Sequence, residues 1–83
     1  MNMTSQTIDW RGCPGVEYDP AKLSGAANIR GMRIPPEAVL ENYNDGMSVA
    51  EIKEQFEGVQ DSDIWNVLNF AAKHGLLLRP LRG

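Results

Sequence analysis

Eighty-three residues suffice for one domain with a thin core, and the lone cysteine, Cys13, excludes an intramolecular disulfide and a zinc site built on thiolates. A core of this size supplies only about 3–5 kcal/mol before staples are added, so association with another chain is the expected further support. The net charge of −3 is uneven: residues 36–74 set eight carboxylates against Lys53 and Lys73, a balance of −6, which argues against a domain that grips nucleic acid by phosphate neutralisation.

Residues 1–15 show no sustained periodicity and are expected to be loosely ordered. Their start, MNMTSQTIDW, lacks the basic and apolar regions of a signal peptide, and no run of about 18 apolar residues follows anywhere, so the chain reads as cytoplasmic with no membrane contact. Residues 16–34 change to short apolar pieces, Val16–Tyr18 and Asn28–Ile34, separated by Asp19-Pro20 and Ser24-Gly25. Each is long enough for a short strand only. Two such strands are marginal alone, so this β segment is expected to pack on the helices or to join two copies of the chain.

Pro35-Pro36 ends any strand and opens the first helix, whose buried stripe is Val39, Leu40 and Tyr43 and whose end is marked by Asp45-Gly46. Ser48-Val-Ala-Glu51 is a capping box, with Met47 and Ile52 at the spacing of a hydrophobic staple. Val49, Ile52 and Phe56 supply the inward face of that second helix, and the turn Glu57–Gln60 leads to a third. The third helix spans from Gln60 or Asp61 to about Lys73, with Ile64, Val67, Leu68 and Ala71 inward and His74-Gly75 as its stop. Residues 35–75 thus read as a trihelical helix-turn-helix unit, and residues 76–83 as a tail in which Leu76-Leu-Leu78 could add a strand or a dimer contact. The fold class is mainly α, a small α+β protein with a homeodomain-like bundle behind a short N-terminal β segment.

On the third helix Ser62, Asn66, Asn69 and Lys73 recur at spacings of four, three and four, away from the apolar stripe. In a major groove, such amides could pair bidentately with adenine. Equally, the row could be a solvated face. Phosphate contacts would need Arg30 and Arg33, with Arg79 and Arg82 in the tail. Trp65 and Phe70 border the stripe and Trp10 lies in the N-terminal stretch; with Val16, Tyr18 and Ile29 of the β segment, Trp65 and Phe70 are candidate contacts for a partner protein or a second copy, ordinary core packing being the equal alternative for the three aromatics. Nothing forms a catalytic constellation: His74 is the single histidine, placed where a helix end favours an imidazolium, and Cys13 has no basic partner. The chain is therefore read as a non-enzyme with no cofactor, no metal and no small-molecule substrate.

The ordered succession Cys13-Pro-Gly-Val-Glu17, Ser24-Gly25, Ile29-Arg-Gly-Met-Arg-Ile-Pro35, Asp45-Gly-Met-Ser48 and Phe56-Glu-Gly-Val59 resembles the domain of unknown function 433 family of small bacterial proteins. That resemblance implies a trihelical module with an N-terminal β segment, often dimeric, and often the antitoxin half of a toxin–antitoxin pair whose partner is a PIN-like ribonuclease toxin. Gly31 and Arg33 fall on the family's Gly-Thr-Arg-Ile/Val-Pro motif, and Met32 stands where threonine is usual. Gln60 replaces a usual Ser or Thr cap, so the third helix is expected to start less firmly. Arg33 is expected to act as a fork tying the β segment to carbonyls or carboxylates at helix ends, with a DNA phosphate as the alternative. The resulting expectation is an antitoxin-like protein that binds a toxin and possesses an optional operator-binding helix; the alternatives are a stand-alone DNA-binding regulator and an orphan dimerisation module.

Overall fold

The computed structural model describes residues 8–81. The chain runs β1 (Val16–Glu17), β2 (Asn28–Ile29), α1 (Pro36–Asn44), α2 (Val49–Gln55) and α3 (Asp61–Lys73). The three helices pack pairwise around Val39, Leu40, Tyr43, Ile52, Val59, Ile64, Val67, Leu68 and Ala71, all buried, and the small hairpin lies against this bundle. The fold is thus the small, mainly helical α+β arrangement expected.

Local chemistry explains the helix ends. Pro36 occupies the first turn of α1. Ser48 and Glu51 satisfy each other's backbone donors at the start of α2, at 3.1 and 2.8 Å. At α3, Gln60 contributes no side-chain cap; instead the Asp63 carboxylate accepts from the Gln60 backbone N–H at 2.9 Å, so the helix starts at Asp61 despite the weak cap residue. Beyond α3, Gly75 takes φ +69°, which lets Leu76 N–H reach the Ala71 carbonyl at 2.9 Å and Gly75 N–H the Ala72 carbonyl at 3.3 Å. Gly46 closes α1 in the same way.

Several sequence expectations are corrected. β1 and β2 pair antiparallel, Val16 with Ile29 and Glu17 with Asn28, but the strands stop there. Arg30–Arg33 is a turn and not strand, closed by Met32 N–H to the Ile29 carbonyl and Ile29 N–H to the Ile34 carbonyl, both 2.8 Å. Of the stretch expected to be loose, residues 1–7 lie outside the described residues, while Trp10 and Cys13 are buried. The Trp10 ring sits 5.3 Å from Phe70, and its indole N–H donates to Glu37 at 2.9 Å. Burial of a large aromatic with its polar atom paired holds that segment against α1 and α3.

The tail adds no strand among the described residues: Leu76–Leu81 form a strap over the C-terminal end of α1. Asn44 donates to the Leu76 carbonyl and accepts from Leu78 N–H, at 3.2 and 2.8 Å, and the Tyr43 hydroxyl donates to the Pro80 carbonyl at 2.5 Å. Arg79 stacks over the Tyr43 ring, 4.0 Å from its centroid, and its guanidinium donates to the carbonyls of Tyr43 and Met47. Those carbonyls lie at and just beyond the α1 end, where helical backbone acceptors are left over.

Candidate functional site

The outer row of α3 is only partly a surface. Ser62, Asn69 and Lys73 are exposed, and the 3.6-residue period puts them side by side. Asn66 is half-buried under the turn Cys13–Gly15. The Cys13 thiol donates to the Asn66 carbonyl at 3.5 Å, and a Cβ added at Gly15 would stand 3.0 Å from Asn66 Nδ2. Gly15 has φ +77°, so glycine serves there both the backbone and the close approach. The expected four-residue row is therefore broken at its second member.

The cations expected beside that row are scattered. Arg30 is exposed, and its backbone N–H donates to the Gly15 carbonyl at 2.8 Å. Arg33 is exposed and makes one hydrogen bond, from Nη1 to the Ala21 carbonyl of a loop at 3.3 Å, so the expected fork to helix ends does not form. Arg79 is engaged by the strap. Arg82 lies outside the described residues.

The β-segment candidates also separate. Ile29 is 1% exposed within its own chain, so its side chain has no surface to offer a partner, which corrects that expectation. Val16 is half-buried against the core. Tyr18 is 43% exposed; its hydroxyl accepts from the Trp10 backbone N–H at 2.8 Å, and it borders a shallow hollow with Ile8, Asp9 and Arg11. The Arg11 guanidinium beside Asp9 lowers that carboxyl to about 2. Phe70 lies between Trp10 and His74, whose ring centroid is 4.2 Å away, so intramolecular stacking occupies much of it.

A polar network in the hairpin had no sequence signal. Asn28 is fully buried, and its amide donates to Glu17 Oε2 at 3.0 Å and to the carbonyls of Ile29 and Met32, both at 2.9 Å. Gly31 N–H donates to the same Glu17 oxygen at 3.2 Å. These donors, Asn28 foremost, with the charge of Lys22, hold the Glu17 carboxyl below its ordinary range. The network braces the Arg30–Arg33 turn. Cys13 is buried, which pushes its thiol up and keeps it protonated.

The remaining candidate, Trp65, leads to a surface that sequence reading missed. It is half-buried and lines an open groove between α2 and α3, with Ser48, Val49, Ala50, Lys53, Glu54 and Asp61. The Lys53 ammonium and the Asp61 carboxylate meet across this groove at 3.3 Å. The available signal was Ala50, Lys53 and Glu54 at i, i+3 and i+4 on the outer face of α2, but it marks a groove only once α3 is placed alongside. Among the described residues, no group of three or more His, Cys, Asp or Glu side chains could hold a metal ion.

A family model described as Protein of unknown function (DUF433) matches residues 16–71 of the chain. No curated protein and no solved structure matches it.

Proposed function

The chain belongs to the family described as Protein of unknown function (DUF433), and from that premise we propose a non-enzymatic, antitoxin-like helix-turn-helix protein that binds a protein partner of the PIN-like ribonuclease class. The observation that carries this reading is the charge of the accessible helical surface. Glu54 and Glu57 are exposed, Lys53 and Asp61 offset each other at 3.3 Å, and exposed Glu51 caps the start of α2. Such a surface repels phosphate and attracts a basic protein.

Operator binding is the second reading, supported by the joint exposure of Ser62, Asn69 and Lys73 on one helix face. It belongs to the same proposal as an accessory activity, because the acidic neighbours supply no counterion release. Self-association through the exposed Tyr18 side, and a cytoplasmic setting, complete the proposal. No helix is long and apolar enough to cross a membrane among the described residues.

The test is co-expression of the tagged chain with the small ribonuclease-like protein that the reading expects to be encoded beside it. Stoichiometric co-purification, with loss of ribonuclease activity, is the expected result. A chain that purifies alone from that co-expression, and instead retards DNA at low salt, overturns the reading.

A further inference from the structure

We propose that the Trp65 groove takes a segment of the partner protein in which lysine or arginine side chains flank one apolar anchor. This inference rests on the protein-binding reading above and names the chemistry of its contact. The two tryptophans differ in a way that points to the groove. Trp10 is fully buried, with its indole N–H paired to Glu37, whereas Trp65 is half-buried and its indole N–H has no acceptor among the described residues. An amphipathic ring left half-open with an unpaired donor suits an incoming segment that covers the ring and presents a backbone carbonyl to the N–H.

The flanks decide the charge of the occupant. Val49 and Ala50 give the groove its apolar part, while Glu54 stands exposed on its wall as a carboxylate with no ion-pair partner among the described residues. Lys53 and Asp61, also on the lining, offset each other at 3.3 Å, so the groove keeps the charge of Glu54. A basic segment meets complementary potential there; a nucleic acid or an acidic segment meets repulsion. A second copy would bring its own Glu54 and Asp61 with Lys53, a face with no net positive charge to match this one, so the occupant is a different chain.

The experiment titrates the full chain with short synthetic peptides, each carrying one leucine between lysines and arginines, and with counterparts that have glutamates in their place. The two indole N–H resonances are followed by NMR. Basic peptides should move the Trp65 signal saturably and leave the Trp10 signal in place. Trp65→Phe should weaken binding about tenfold or more, and Glu54→Lys about fivefold, both read from the backbone amide resonances of Ala50–Glu54, with the Trp10 indole resonance reporting an intact fold. The inference is overturned if no basic peptide moves the Trp65 signal, if glutamate peptides move it equally, or if Glu54→Lys binds unchanged. Peptide docking at Trp65 without retention of the co-expressed ribonuclease would sink the ribonuclease reading and leave the groove standing. Retention of that protein by Trp65→Ala and Glu54→Lys chains as well as by the parent would do the reverse.

Discussion

Single side chains in this protein matter through partners far along the chain. Trp10 reaches Glu37, Cys13 reaches the Asn66 carbonyl, and Glu17 holds both Asn28 and Gly31. Trp10→Ala should cost about 3–5 kcal/mol, comparable to the whole stability of so small a core, whereas Trp10→Phe should cost about 1–2 kcal/mol by losing the indole hydrogen bond; urea titration distinguishes them. Glu17 makes a pH prediction. Its folded-state pKa lies below the ordinary 4.5, so the charged carboxylate stabilises the fold fully above that value and loses its effect as pH falls through the folded pKa. Melting temperature should therefore fall between about pH 5 and 3, and Glu17→Gln should start lower at neutral pH and fall less steeply. Asp9, Asp19 and Glu51, whose carboxyls are also lowered, keep the residual slope from vanishing.

Among elements, the helices were legible and the segments that bind them together were not. Pro36, the Ser48–Glu51 box, Gly46 and Gly75 are local signals, and the helices begin and end where those residues direct. The inward stripes follow from a 3.6-residue period, as does the exposure of Ser62, Asn69 and Lys73. Asn66 has the same period and is nonetheless covered, because the Cys13–Gly15 turn that lies on it is 51 to 53 residues away and has no period of its own. The strap escaped for the same reason: Arg79 looks like one more surface cation until Tyr43 and Met47 are folded beneath it. Arg79→Ala should lower stability by about 1–2 kcal/mol and speed amide exchange in the last turn of α1, and Arg79→Lys should not restore it, since an ammonium cannot reproduce the two-pronged contact and ring stacking. Unchanged exchange in that turn would refute the clamp.

For the molecule as a whole, the consequence is a division of surfaces. The N-terminal segment and the strap use Trp10, Phe70 and Arg79 internally, leaving the α2–α3 side with the Trp65 groove as an accessible surface that combines an aromatic, an apolar wall and the unpaired carboxylate of Glu54. Where the candidate site was legible, it was as single residues, Trp65 among them. Its shape was not, because a groove is a property of two helices and their crossing. The central claim is that this side of the helix-turn-helix unit meets a protein. Hydrogen exchange on the full chain with and without its co-expressed partner tests that most directly: slowing is predicted at Ala50–Glu54 and at the Trp65 backbone and indole, with Asn69–Lys73 spared. Slowing confined to Asn69–Lys73 or to Val16–Tyr18 would contradict it.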